Sequence, residues 1–313
     1  MRRKAMWVAL PFLAVLVLLA LWWGVQGQTL LSDVKNAAEE ELTRSFGTQV
    51  TVGAAELTAW NVVTLTDSKL FDKQGRILAN IPEAVVEVDP LRLLWTRSVP
   101  ESIARILVTG PEVFLYRTGT EKWNIEELFA KDLPDSRAFR GKLTLTGGQV
   151  FLHDDNRLWQ ISPVAGSLDF SQNPSVAFRL NLRGQEERAR TFGTFTSQGY
   201  GVVTLQGQNQ ALEAWHGLFP KDWPLADLKG RVAQIDITLK KDREGLKFAG
   251  EIKPNGVSGR FADITWGEVK GLITFSEQEV QLYAVSGKVS GQELIASGKI
   301  LHPMGEPELQ IQL

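Results

Sequence analysis

Apolar and polar residues alternate with a period of two through most of this chain after Gln49, and this pattern restricts it to β-structure. The clearest run is 176–183, in which valine, phenylalanine and two leucines alternate with alanine, arginine, asparagine and arginine. The runs 235–240, 273–276 and 309–313 repeat the pattern. Successive side chains of a strand point to opposite faces, so each run has one apolar and one wet face. The sequence predicts a mainly β protein built from antiparallel strands.

Glycine-containing pairs between the alternating runs predict the turns. We expect short turns at Gly147-Gly148, Asn255-Gly256 and Ser286-Gly287, because these residues favour hairpin loops. Charges of both signs are interspersed in 240–244, which predicts a hairpin tip. The segment His153-Asp154-Asp155 is the nearest approach to a metal-ligand cluster, but its polar sequence between two apolar runs is better interpreted as a hairpin turn.

The N-terminus predicts a membrane anchor. Residues 5–25 are uncharged and almost wholly apolar, which is long enough for a helix that crosses a bilayer. Arg2, Arg3 and Lys4 precede them and predict a cytoplasmic N-terminus with the body on the other side of the membrane. A cleaved signal peptide is the alternative, but its apolar region would be shorter, about 7–15 residues. Residues 1–28 are therefore predicted to form a cytoplasmic tip and a single transmembrane helix.

A few helices are predicted to cover the ends of the sheet. Residues Thr29 to Phe46 carry an apolar stripe and end before Gly47, so 29–47 is predicted to be a capping helix. A position on the membrane surface is the alternative, which the acidic residues 39–41 disfavour. Two shorter helices are predicted at 125–130, with Asn124 as N-cap, and at 209–219.

Composition argues against most catalytic and nucleic-acid functions. Lys and Arg number 34 against 36 Asp and Glu, so the net charge is −2 and no basic face is expected. There are no cysteines, and the 3 histidines lie far apart in the sequence. The sequence contains no G-x-S-x-G motif of serine hydrolases, no H-E-x-x-H motif of zinc proteases, no P-loop and no G-x-G-x-x-G dinucleotide-binding motif. The sequence predicts no catalytic residue, no metal site and no cofactor, and it predicts a protein that is not an enzyme.

Four segments carry a resemblance to a known family. They are Val86 to Leu94, Ile103 to Val108 as I-x-x-I-x-V, Pro111 to Arg117 as P-x-V-x-L-x-R, and Trp123 to Leu128 as W-N-I-x-x-L. With the preceding anchor, they resemble the N-terminal region of the AsmA-like proteins of diderm bacteria. Three residues separate Gly119 from Trp123, whereas the family's G-x-W-N-I pattern has one residue between its glycine and tryptophan. The resemblance covers residues 5–129.

The resemblance implies a fold and a function. It implies a transmembrane helix followed by an elongated, twisted antiparallel β-groove, with an N-terminal β region at 48–135 and groove repeats at 136–313 that continue in a longer chain. It also implies an inner-membrane protein, anchored through 5–25, whose periplasmic body conducts phospholipid between the inner and outer membranes. A protein of the outer membrane is the expected partner at the far end. The alternatives are a membrane-anchored scaffold that assists outer-membrane protein assembly or secretion, and, least favoured, an envelope enzyme.

The residues predicted to line the groove share one parity within strands whose other residues are polar. Phospholipid acyl chains would lie along them, gaining about 0.8 kcal/mol per buried CH₂. A β-sandwich with two inner faces packed together is the alternative, since it buries one face of each strand as well. The predicted lining residues are Leu143, Leu145, Leu168, Phe170, Phe178, Leu180, Leu182, Ile235, Ile237, Phe248, Ile273 and Phe275.

Overall fold

The structure is a computed structural model that describes most of the chain after residue 47. The described residues are 35–36, 39–40, 43, 48–96, 99–118, 122–124, 139–154, 157–172, 174–183, 188–196, 200–213, 225–261, 264–303 and 306–313. Among them, no helix combines the length and apolar character that a membrane crossing requires. The predicted span 5–25 and the predicted helix 125–130 lie outside the described residues.

The described chain is mainly β, as the alternation predicts. The strands are β1 Val50–Thr51, β2 Ala54–Ala59, β3 Val62–Phe71, β4 Ile77–Val88, β5 Ile103–Thr109, β6 Glu112–Thr118, β7 Lys122–Trp123, β8 Lys142–Asp154, β9 Arg157–Asp169, β10 Ser175–Arg183, β11 Arg188–Thr196, β12 Gly201–Ala211, β13 Leu225–Asp242, β14 Gly245–Phe261, β15 Ile264–Ser276, β16 Glu279–Val289, β17 Gln292–Leu301 and β18 Glu308–Gln312. Two short helices, α1 Pro90–Thr96 and α2 Val99–Ser102, connect β4 to β5. Residues 209–211 end strand β12, so the predicted start of a helix at Asn209 is wrong.

The strands form one large sheet in which most neighbours are antiparallel. From β8 to β18 each strand pairs with the next, which makes a continuous meander. The predicted hairpins at 153–155 and 240–244 are confirmed, because β8 pairs with β9 up to Asp154 and Arg157, and β13 pairs with β14 up to Asp242 and Gly245. On the other side, β1 and β2 both pair with β3, and β3 pairs with β4.

One junction departs from the antiparallel prediction. Strands β5 and β6 are two halves of one bent strand that is antiparallel to β4 and parallel to β8. The bend lies at Gly110-Pro111, and Gly147-Gly148 of β8 lies beside it, with Gly110 N donating to Thr146 O at 2.8 Å. The chain leaves β6 and returns as β8 in the same direction, which requires a crossover instead of a hairpin.

The three predicted turns at glycine pairs are wrong. Gly147-Gly148 lies within β8, Asn255-Gly256 within β14 and Ser286-Gly287 within β16. The strands are bulged near these positions, where Gly147, Gly256 and Ala284 have positive φ and the register shifts. Glycine and asparagine tolerate positive φ in a bulge as well as in a turn. Bulges bend a strand and increase its twist, so this line of bulges bends the sheet across its strands.

The buried core lies in the N-terminal part of the sheet. Val52, Leu65, Ala84 and Val108 are each at most 9% exposed and pack together. Residues 35–36, 39–40 and 43 are helical, and two of them bond to the strand beside this core. Val50 N donates to Thr43 Oγ1 at 3.1 Å and Val52 N donates to Glu39 Oε1 at 2.6 Å. The described part of the predicted capping helix therefore lies against the first strand.

A buried polar network joins the β3–β4 turn to the end of β6. The Asp72 side chain is 1% exposed, and its carboxylate accepts hydrogen bonds from Gln74 N and Arg76 N at 2.9 Å and from Arg76 Nε at 2.7 Å. Asn124, 1% exposed, donates to Asp72 and Phe114 O and accepts from Tyr116 N at 3.0 Å. The Asn124 side chain thus joins two strands and a turn, a use that its predicted role as an N-cap did not anticipate.

The acid stability of the fold should depend on Asp72. Burial raises the pKa of Asp72, but the hydrogen bonds from Arg76 and Asn124 outweigh burial and hold this pKa below the ordinary value of 3.8. The ionised carboxylate therefore stabilises the fold above that pH, and this stability is lost as the pH falls through the lowered folded-state pKa. Asp72→Asn should lower the free energy of unfolding by about 1–3 kcal/mol at neutral pH. It should also make the midpoint of urea denaturation fall less steeply as the pH is lowered. Asp67→Asn, at an exposed carboxylate, is the control. If the urea midpoint of Asp72→Asn fell with pH as steeply as that of the unsubstituted protein, Asp72 would not be the source of the acid sensitivity.

Candidate functional site

A single row of side chains crosses nearly the whole sheet on one face. Residues that pair directly across neighbouring strands point to the same face, so the pairing register traces the row from β2 to β18. We call it the central row, and apart from Thr191 every member is apolar or glycine. The central row is Ala55, Leu65, Ala84, Val108, Leu145, Gly166, Leu180, Thr191, Leu205, Ile237, Gly250, Phe275, Val280, Ile300 and Leu309.

Two parallel rows flank the central row on the same face, two residues away along each strand, except that Gly148 follows Leu145 by three residues across the bulge of β8. The rim row, on the side of the helices α1 and α2, is Leu57, Val63, Val86, Ile106, Leu143, Leu168, Phe178, Gly193, Val203, Leu239 and Phe248. The crease row, on the side of the bulges, is Gly148, Val164, Leu182, Ala189, Gly207, Ile235, Ile252, Ile273, Leu282, Gly298 and Ile311. The three rows together make one continuous apolar face.

The structure places the predicted lining residues on this apolar face. Leu143, Leu168, Phe178 and Phe248 lie in the rim row. Leu145, Leu180, Ile237 and Phe275 lie in the central row, and Leu182, Ile235 and Ile273 lie in the crease row. Phe170 follows Leu168 by two residues, just beyond the end of β9, and its ring contacts Phe139 at 5.1 Å between centroids. All of these side chains are half-buried. Whether they contact lipid stays a prediction.

The sequence analysis missed other members of the three rows. Val203, Leu205, Ile252, Val280 and Leu282 pair directly with predicted residues or continue their rows. Each has the same parity as its strand's other apolar residues, so the signal was present in the alternation. Gly166 and Gly250 also belong to the face, but a glycine has no side chain by which parity could identify it.

On the opposite face, strands β11, β12 and β13 carry polar side chains that are hydrogen-bonded to each other. Arg190 Nε donates to Gln206 Oε1, and Gln206 Nε2 donates to Asp236 Oδ2, both at 2.7 Å. Thr204 and Thr238 are bonded through their hydroxyls at 3.1 Å. These residues pair directly across β11, β12 and β13 and form a polar ladder. The two faces therefore differ in chemistry along the same strands.

Charged side chains also gather at the rim of the apolar face. At the β13–β14 hairpin, the hydrogen bond from Glu244 N, with Lys240 and Lys247 nearby, holds the pKa of Asp242 below its ordinary value. Lys241 pairs with Leu246 at the end of this hairpin, two residues beyond Leu239 and Phe248 of the rim row.

Glycines in the rows allow neighbouring strands to approach closely on the apolar face. A Cβ added to Gly166 would overlap with the Arg179 carbonyl oxygen, and one added to Gly193 would overlap with the Val202 carbonyl oxygen. Gly250 and Gly298 are confined in the same way by the neighbouring strands. Glycine within a strand often marks a tight bend or a close backbone approach. These glycines therefore mark positions where the backbones of neighbouring strands lie against the apolar face without room for a side chain.

Burial of the central row decreases along the sheet. Leu65, Ala84 and Val108 are at most 9% exposed, Leu180 is half-buried, and Leu309 at the last strand is 65% exposed. The same row is therefore a closed core at its N-terminal end and an accessible apolar surface further on. An accessible apolar surface of this extent is a binding surface in most soluble proteins.

The face offers apolar contact, and the described residues hold no group of three or more side chains that could bind a metal ion. No protein-family model matches the chain, and no curated protein shows significant similarity to it.

Charge substitutions in one row should separate the closed core from the accessible face. Val108→Asp buries an unpaired carboxylate and should cost about 3–5 kcal/mol, whereas Leu180→Asp leaves its carboxylate within reach of water and should cost about 1–2 kcal/mol. Arg179→Asp, at an exposed position on the other face, is the matched control and should change stability by at most about 0.5 kcal/mol. Urea denaturation measures all three. An equal loss in Val108→Asp and Leu180→Asp would mean that the face is closed throughout.

Proposed function

We propose that the protein conducts phospholipid along its apolar face, with the acyl chains on the three rows and the headgroups at the rim. The observation that carries this proposal is the unbroken central row from β2 to β18. A binding protein for one ligand needs one pocket, and a conduit needs a path that continues from strand to strand. The mechanism requires no proton transfer, nucleophile or metal.

The length of the central row supports a path instead of a single site. Its fifteen residues span fourteen steps between neighbouring strands, and at about 4.8 Å a step the row extends about 67 Å along the sheet. The acyl layer of one leaflet is about 15 Å thick, half the hydrocarbon core. The row is therefore about four acyl chains long, and several lipids could occupy it at once.

The partial exposure of the predicted lining residues favours an open groove in preference to a β-sandwich. In a sandwich, a second sheet packs on the inner face and leaves its residues close-packed. The described strands instead belong to one sheet, and the predicted lining residues are all partly accessible. Bulges and glycines supply the curvature that a groove requires.

The resemblance supplies the cellular setting of the proposal. Within the AsmA-like family the quoted segments are most like TamB, the translocation and assembly module subunit. We therefore propose an inner-membrane protein anchored through 5–25, with a periplasmic body that bridges towards the outer membrane and a protein partner there. In this arrangement the closed core and its capping helix lie at the anchored end, and the more accessible rows lead away from it.

A scaffold for outer-membrane protein assembly is the second candidate. The observation that favours it is strand β2, which among the described strands is hydrogen-bonded to β3 on one side and whose residues are mostly exposed. An exposed edge can accept a partner strand by main-chain hydrogen bonds. In that function the apolar face would hold no lipid, so lipid contact distinguishes the two candidates.

Photo-crosslinking from single positions should show lipid on the apolar face. A photoreactive residue at 178, 180 or 182 of the full chain should form phospholipid adducts, detected by mass spectrometry, because these positions lie in the three rows. Positions 179 and 181 point to the other face and are the matched controls. A reactive residue at 280, far along the central row, should also form adducts, and one at 281 should not.

The distribution of adducts decides between the candidates. Adducts at 180 and 280 support a path, and adducts at 180 alone would indicate one local site. Adducts at 179 and 181 as often as at 180 would contradict the assigned facing. Protein crosslinks without any lipid adduct would reject the conduit and favour the scaffold.

A further inference from the structure

Helix α1 presents its apolar side to solvent. Leu91, Leu94 and Trp95, at helical spacing i, i+3 and i+4, lie on one side of the helix and are 76%, 75% and 92% exposed. A surface helix of a globular protein normally buries such a stripe against the core. No residue of α1 is buried. The exposed stripe therefore cannot be explained by packing within the described chain.

The local structure holds α1 firmly in this orientation. Asp89 is its N-cap, with Oδ1 accepting from Leu91 N at 3.0 Å and Arg92 N at 3.1 Å. Asp89 N donates to Ser102 O at 2.7 Å, which closes the base of the α1–α2 connection. The N-terminus of α1 is thus capped, and the α1–α2 connection is closed at its base, while the apolar side of α1 faces outwards.

A second exposed tryptophan adjoins the helix. Trp60, 65% exposed, lies in the β2–β3 turn, and the next residue, Asn61, bonds to Val88 at the end of β4 through both its backbone and its side chain. The turn and α1 are therefore neighbours at one rim of the sheet. We call Trp60, Leu91, Leu94 and Trp95 the α1 patch.

We propose that the α1 patch rests in the surface of a phospholipid bilayer. Tryptophan and leucine are suited to the boundary between headgroups and acyl chains, and exposed Arg92 beside them suits anionic headgroups. The Asp89 carboxylate, which would oppose such a surface, is engaged as the N-cap. Residues 5–25, predicted to cross a membrane, would tether the same chain to the bilayer.

The patch also adjoins the proposed lipid path. The rim row begins at Leu57, three residues before Trp60, and passes Val86, four residues before Pro90. A bilayer in contact with α1 would therefore adjoin the first strands of the apolar face. The inference rests on the proposed function for this role in lipid entry, while membrane contact itself can be measured separately.

A second copy of the chain fits the patch less well than a bilayer does. An aromatic side chain buries about 150–250 Å² and leucine less, so the four residues supply less than the ~800 Å² that each partner contributes to a typical stable interface. A bilayer imposes no such requirement of shape or area. Self-association is nevertheless a distinct outcome of the experiment.

The absence of cysteine from the chain allows a clean test with a single nitroxide label. Leu94→Cys in the full chain is labelled and reconstituted in vesicles of phosphatidylethanolamine with a minority of phosphatidylglycerol. Electron paramagnetic resonance then measures collisions with oxygen, which enters the bilayer, and with a water-soluble nickel chelate. The ratio of oxygen to nickel collisions at 94 should be severalfold higher than at Lys142→Cys, an exposed control on the same rim.

Substitution of the remaining patch should remove this effect. Leu91→Glu with Trp95→Glu in the Leu94→Cys background should lower the ratio to that of the control, with circular dichroism reporting the fold. A ratio at 94 equal to that at 142 in the unsubstituted background would overturn the proposal. A label at 94 that is immobile and dipole-broadened in detergent without vesicles would overturn it in favour of self-association.

The label measurement at 94 and the crosslinking at 180 and 280 together distinguish this inference from the proposed function. Lipid adducts at 180 together with a water-exposed label at 94 would overturn the membrane contact and leave the conduit. A label buried in the bilayer at 94 without adducts at 180 and 280 would support the membrane contact and reject the conduit.

Discussion

The pairing register of the sheet is the constraint on which the apolar face depends. A shift of one residue between two strands would move a whole strand's apolar side chains to the other face. The register instead keeps the central row continuous over all its strands, from Ala55 to Leu309. The backbone hydrogen bonds that join neighbouring strands therefore also align the three rows of the apolar face.

Stability and accessibility are separated along the sheet. The N-terminal strands bury Leu65, Ala84 and Val108, and the Asp72–Asn124 network secures the opposite rim there. Later strands leave the same row half-buried, so they gain less free energy from apolar burial. A firm N-terminal core can therefore position a long sheet whose later strands remain accessible to a ligand. The outward apolar side of α1 lies at this firm end, where a fixed orientation is available.

Much of the strand pattern and of the facing could be predicted from the sequence, because alternation is a local property. Strand β10 and the parity of Phe178, Leu180 and Leu182 follow from their own neighbours. The bulges could not be predicted, since Asn255-Gly256 has the same conformational freedom in a turn as in a bulge, and only its partner strands distinguish the two. Helix α1 was missed although Asp89-Pro90 is a helix-start signal, because the apolar residues that follow also fit a strand.

By itself, the sequence determined that the chain is mainly β and which side chains share a face within each strand, since both depend on residues adjacent in the chain. Only the tertiary structure decided that these faces align into three continuous rows, because register is set between strands that can be far apart in sequence. It also decided where the rows are buried and where they are open, since burial depends on what packs above a face. Only the tertiary structure decided, likewise, that β5 and β6 pair with β8 in parallel and that the apolar side of α1 faces outwards. Each depends on contacts, or on missing contacts, between distant segments.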